Sequence, residues 1–227
     1  MNGVSEHRRR QALALLATAL LLPGLALAVS TARDEAQSAL RLRPDLDRGA
    51  MLFEVCAACH GERGQGASDG SVPEIAGQPV SVLVKQLVDF RHDVRPDVRM
   101  EHFVSGERMN PQQIADVAAY IRSLRPVRSL RDSDPSAAQA EGLYMSSCAS
   151  CHGPRAAADA ANALPRLAGQ HPEYLLQELE GAAQGRRPTM TRDHAPLVMQ
   201  LSSQQLQAIA RYLAHVDPRA AEDAAAD

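Results

Sequence analysis

The chain has no tryptophan, and only 3% of its 227 residues are aromatic. It has one lysine, Lys85, and four cysteines, all in two short runs. Each shortage excludes something. A domain of under about 100 residues with so few large side chains builds a thin core, so something else must fill its centre. The 24 basic and 27 acidic residues, net −3, leave no basic surplus for nucleic acid. No G-K-[ST] triplet accompanies the glycine-rich stretch, so no phosphate cradle is indicated. No convincing strand pattern surrounds the cysteines, which removes a thioredoxin-like setting.

What is present is Cys56-Ala57-Ala58-Cys59-His60, and again Cys148-Ala149-Ser150-Cys151-His152. C-x-x-C-H is the attachment sequence for c-type haem. Two thiols three residues apart on a helical turn can form thioethers to the two vinyl groups of one porphyrin. The histidine that follows then lies under the iron and can ligate it. A shared zinc would not need a histidine after each pair. Two such runs imply two covalently bound haem c groups. No cysteine is left over for cysteinate ligation of iron.

Residues 1–28 read as a secretory leader. Arg8, Arg9 and Arg10 form a basic start, Ala12 to Leu27 is apolar, and Ala26-Leu27-Ala28 offers a cleavage site. An uncleaved leader would be a membrane anchor, because its apolar run approaches spanning length. Without it the net charge is 21 − 26 = −5. Export agrees with haem attachment and points to the periplasm.

Val29 to Pro44 is a polar lead-in, expected to be mobile. From Asp45 an amphipathic helix runs into Cys56. Gly61 to Gln78 holds glycines at 61, 64, 66, 70 and 77 and reads as a loop. A helix after Pro79 carries Val80, Leu83, Val84, Leu87 and Phe90. Arg91 to Arg108 reads as irregular. Asn110, Pro111 and Gln113 open a last helix with a capping box. The plan then repeats, which gives a first domain at 45–125, a linker at 126–136, a second domain at 137–217 and a tail at 218–227.

From Cys56 the halves align without a gap at an offset of 92. Pro73 pairs with Pro165, Ala76-Gly77-Gln78 with Ala168-Gly169-Gln170, and Tyr120 with Tyr212. Arg95-Pro96 pairs with Arg187-Pro188, and these arginines are expected either to pair with haem propionates or to be plain surface charge. Tyr120 and Tyr212 are expected to pack between the first and last helices of each half.

Each iron has a proximal histidine, His60 or His152. The offset filters candidates for the opposite face. His102 and His194 are the other histidines 92 apart, and no methionine pairs with a methionine. This favours His102 and His194, with Met100 and Met190 as alternative ligands. Met51 and Met145, beside the haem helices, are expected as packing.

The whole chain after the leader resembles the dihaem class I cytochromes c of the cytochrome c4-like family. The shared features are C-x-x-C-H-G, P-x-[IL]-A-G-Q, a Leu-rich helix, an R-P loop and a final I-A-x-[VL]-A-x-Y helix. The resemblance implies an all-α fold of two tandem class I cytochrome c domains, each a few helices around one covalent haem c. It implies that a proline carbonyl, here of Pro73 or Pro165, steadies each proximal histidine. It also implies packing of the domains about an approximate twofold axis. The family usually ligates iron with methionine where this chain has His194. The expected role is a periplasmic electron carrier between donor and acceptor redox proteins. An inner-membrane oxidoreductase or oxidase is one candidate partner, which the chain would serve as electron-input subunit. Rival readings are a dihaem peroxidase, a thiosulfate dehydrogenase-like enzyme and a sensor of diatomic gases.

Overall fold

The computed structural model describes residues 29–127 and 137–219. The leader, most of the linker and most of the tail lie outside the described residues. Among the described residues the regular structure is helical, with one isolated β-bridge, Asp159 to Leu164.

Helix α1 covers 29–40, where the sequence suggested a mobile lead-in. Its small residues explain the difference. Ala32 and Ala39 are buried in the first core, and Glu35 is bound by Arg91 and by His92 at 2.6 Å. Two alanines are too weak an apolar signal to read from sequence alone.

Helix α2, Leu46–His60, starts at Asp45, whose side chain accepts from the Arg48 N–H, and stops at Gly61 with φ 77°. Helix α3 is Val80–Arg91, α4 is Val98–Val104 and α5 is Pro111–Ser123. The capping box at Asn110 forms as expected, with Gln113 closing it. Helix α4 lies inside the stretch read as irregular. Asp97 caps it, accepting from the N–H groups of Arg99 and Met100.

Helix α2 crosses α5 closely at Gly49. A Cβ there would lie 2.3 Å from the Asp116 carbonyl oxygen. The Asp116 carboxylate takes hydrogen bonds from the Asp45 N–H, Arg48 and Gln112. The first core gathers Phe53, Leu83, Val84, Val88, Ile114, Val117 and Ile121 with the two alanines of α1.

The second half repeats the plan with one break. Helix α6, Ala137–Ser147, ends before Cys148, and α7, Ala149–His152, is a separate turn. Helix α8 is Pro172–Ala183, α9 is Pro188–Val198 and α10 is Ser203–His215, with Ser202 and Gln205 forming its capping box. Helix α9 also falls where an irregular loop was expected. The internal Pro196 hid it from a reading by propensity. The second core is smaller, built on Tyr144, Leu175, Ile209 and Leu213. The tyrosines pack as expected: Tyr120 lies 5.4 Å from Phe53, and Tyr212 lies 5.5 Å from Tyr144, between ring centroids.

The halves meet through buried polar groups. Arg166, 1% exposed, donates to Glu74, also 1% exposed, at 2.7 Å. Gln78 donates to the Arg166 carbonyl and accepts from its N–H. Gln170 does the same for the backbone of Glu74. Glu74 and Arg166 are separated by 166 − 74 = 92 residues, and Gln78 and Gln170 by 170 − 78 = 92. The contacts are therefore reciprocal about an approximate twofold relation between the repeats. Burial pushes the Glu74 carboxyl up, and the Arg166 guanidinium opposes that. Removing one charge of such a pair costs about 3–5 kcal/mol.

Candidate functional site

In the first half, α2 delivers three groups from one continuous helix. Cys56 is half-buried, Cys59 exposed and His60 8% exposed. His60 Nδ1 donates to the Pro73 carbonyl at 3.1 Å, the bond the resemblance implied. That leaves Nε2 as the free nitrogen. Burial lowers the imidazole pKa, the Pro73 bond opposes, and Arg99 and Arg95 add to the lowering. The ring is thus held neutral, the form that ligates a metal.

Gly66 makes the approach of Pro73 possible. Its φ is +70°, and a Cβ there would lie 2.7 Å from the Pro73 oxygen and 2.4 Å from that of Val72. Its N–H also donates to the His60 carbonyl at 2.8 Å.

In the second half the corresponding bond is not made. His152 Nδ1 is buried without a hydrogen-bond partner, so Pro165 does not play the part of Pro73 in this structure. One sequence difference accounts for it. Gly66 is replaced at the repeat position by Ala158, which does not take the left-handed backbone that lets Pro73 approach in the first half. Ala156, in place of Gly64, keeps a left-handed backbone at φ 53° and accepts from the Leu167 and Ala168 N–H groups as Gly64 does from those of Ile75 and Ala76. The helix break at Cys148 then leaves His152 on the short α7 rather than on a continuous helix.

The second half instead brings together His152 and His194. Their ring centroids are 6.0 Å apart, with planes at 52°. His194 Nδ1 donates to the Met190 carbonyl one turn earlier in α9, at 3.2 Å, which leaves Nε2 free. Burial, then the His194 ring opposite, lowers the His152 pKa to about 4. In the first half His102 is exposed, and its ring stands edge-on to Phe103 at 5.3 Å. Met100 and Met190 are partly exposed. The structure thus brings the repeat-matched histidine to its proximal partner in one half only.

Arg95 and Arg187 sit between the domains. Arg95 donates to Tyr174 at 2.8 Å and to Glu178 at 3.1 Å, and its guanidinium covers the Phe90 ring at 4.4 Å. Arg187 pairs with the same Glu178. Burial and the nearby Arg95 lower the Arg187 pKa to about 10. Sequence reasoning found these arginines by their repetition but missed Glu178, which has glutamine, Gln86, at the matching position. Met51 and Met145, expected as packing, are exposed.

These residues fit a c-type haem. Each half presents two thiols and a neutral imidazole on adjoining turns. In the second half a further imidazole faces the first. Two metal–imidazole bonds of about 2 Å, with half a ring at either end, add to about 6 Å between centroids.

Residues 46–125 and 137–217 each match the cytochrome c domain family. Cytochrome c4 of Azotobacter vinelandii is 32% identical over 190 residues, covering 74% of this chain and 88% of that protein. The crystal structure of reduced recombinant cytochrome c4 from Pseudomonas stutzeri shares the fold, with a TM-score of 0.67 at 24% identity over 77% of this chain and all of that one. Thiosulfate dehydrogenase (TsdBA) from Marichromatium purpuratum, in its as-isolated form, gives a TM-score of 0.63 at 30% identity, over 75% of this chain and 40% of that one.

Proposed function

The chain belongs to the cytochrome c family, as a dihaem member similar to cytochrome c4, and on that footing we propose that it relays electrons between protein redox partners in the periplasm. It carries two covalently bound haem c groups, one for each C-x-x-C-H run. Bound haem supplies reversible one-electron iron chemistry.

In our reading Cys56 and Cys59 hold the first haem and Cys148 and Cys151 the second. His60 and His152 are the proximal ligands. Pro73 orients His60 through its Nδ1–H and makes the ring a stronger donor. His194 is the sixth ligand of the second haem. One observation carries this: the His152 and His194 imidazoles, from α7 and α9, face each other at 6.0 Å. The repeat assigns the matching place in the first haem to His102, with Met100, on the same short α4, as the competing donor. Imidazole on both faces lowers the potential relative to methionine and leaves no position for substrate.

That closure favours a carrier over a peroxidase, a thiosulfate dehydrogenase-like enzyme or a gas sensor. The same closed carrier could serve an inner-membrane oxidoreductase or oxidase as its input subunit. Among the described residues no helix is long and apolar enough to cross a membrane.

The test is addition of carbon monoxide to the reduced dihaem protein, with a reductive titration alongside. The reading expects two one-electron steps and an unchanged spectrum with the gas. Carbon monoxide binding at either haem, or peroxide turnover, would overturn the closed-carrier assignment.

A further inference from the structure

The two halves have diverged at one interface position into opposite charges. Position 74 is glutamate in the first half, and its repeat mate 166 is arginine in the second. Both are buried, and they bond to each other at 2.7 Å across the domain boundary. The surroundings are nearly the same seen from either side. Gln78 and Gln170 clamp the backbones of Arg166 and Glu74 reciprocally. Arg166 also donates to the carbonyls of Ala76 and Ala168, which are themselves repeat mates. Glu74 additionally accepts from the Val127 N–H at 3.0 Å.

A duplicated domain faces a hazard. The surface that docks first half on second half is also suited to docking first on first, or second on second, in another copy of the chain. At this interface those pairings would bring Glu74 to Glu74, or Arg166 to Arg166, inside a buried contact. Like charges desolvated together are strongly unfavourable, whereas in the mixed pair the carboxylate and both terminal guanidinium nitrogens find partners, with Arg166 Nε alone left without one.

We infer that Glu74 and Arg166 form a charge code that makes the first haem domain dock only on the second, excluding pairing of like halves between copies. The polar clamps at Gln78 and Gln170 would accept either arrangement. Position 74/166 is where the halves differ in sign, and Glu178, whose repeat mate is the neutral Gln86, adds a second charge difference between the domains. The code also keeps the two haem domains in one fixed arrangement, on which electron exchange between them depends. It does not rest on the assignment of the sixth ligands.

The repeat makes a demanding test possible in the full-length dihaem protein. Glu74→Arg gives a chain with arginine at both positions, and Arg166→Glu gives one with glutamate at both. Size-exclusion chromatography with light scattering reads mass and hydrodynamic radius. Each single variant is expected to lose the compact monomer and elute with a larger radius. The double variant Glu74→Arg/Arg166→Glu is expected to recover the parent radius, because arginine at 74 can reach the same two alanine carbonyls. Mixing the two single variants is expected to yield a one-to-one heterodimer, since each half of one chain then matches the opposite half of the other.

Single variants as compact as the parent would overturn the inference, as would a mixture that stays as separate chains. If the single variants fail to accumulate with two haems, the double variant decides. Its recovery as a compact dihaem monomer supports the code, and its absence overturns it.

Discussion

Gly66→Ala is the most informative single change at the haem sites. The glycine sits at φ +70°, and the new Cβ would meet the Val72 oxygen at 2.4 Å and the Pro73 oxygen at 2.7 Å. Alanine in this left-handed conformation costs about 1–2 kcal/mol. The clash is with backbone, so the loop must move, and Pro73 moves with it. Losing the His60–Pro73 hydrogen bond costs about 1 kcal/mol more. The sum is about 2–3 kcal/mol, or about 4–12 °C in melting temperature for a chain of this size. The same loss makes His60 a poorer donor, which destabilises ferric iron more than ferrous. If that difference equals the hydrogen bond, the first haem's potential rises by about 40 mV. The assays are thermal unfolding of the oxidised protein and a spectroelectrochemical titration that resolves both haems. Ala158→Gly is the reverse experiment. Without its Cβ the second loop can close, Pro165 can reach the unpaired His152 Nδ1, and the second haem's potential should fall. A Gly66→Ala protein with both melting temperature and potentials unchanged would refute the reasoning.

Three further outcomes are expected. His194→Ala should convert one haem, and only one, from low to high spin in the oxidised absorption spectrum, and the reduced protein should then bind carbon monoxide. Gly49→Ala should lower the melting temperature by an amount corresponding to about 2–3 kcal/mol, because its Cβ would lie 2.3 Å from the Asp116 carbonyl at the crossing of α2 and α5. For Asp116, burial raises the carboxyl pKa, but Arg48, the Asp45 N–H and Gln112 together outweigh it and hold it below the usual range. Its contribution is therefore present above the unfolded carboxylate pKa, about 3.9, and is lost as pH falls through the lower folded value. Asp116→Asn should flatten that part of the acid limb when melting temperature is followed from neutral pH downward.

Much of this architecture was legible because it rests on strong local signals. The two C-x-x-C-H runs, the capping box at Asn110 and the apolar spacing of α3 each determine structure within a few residues. The offset of 92 turned one half into a check on the other. It singled out His102 and His194, and Arg95 and Arg187. What escaped depends on contacts distant in sequence. Helix α1 is held by two alanines and one glutamate, none of which marks a helix as packed. Helix α9 contains Pro196, which argues locally against it. The absent bond from His152 to Pro165 traces to a glycine replaced by Ala158, a difference that the repeat made visible but whose consequence needed the geometry around Gly66. The Glu74–Arg166 pair was equally in view, yet nothing in the sequence says that the two positions touch.

The central claim is that the second iron, and by repetition the first, is gripped by imidazole from both sides. Near-infrared magnetic circular dichroism of the fully oxidised dihaem protein addresses it directly. The account predicts the low-spin bands of paired imidazole ligands for both haems, at two irons per chain. A methionine-to-iron charge-transfer band would contradict the imidazole assignment for whichever haem shows it.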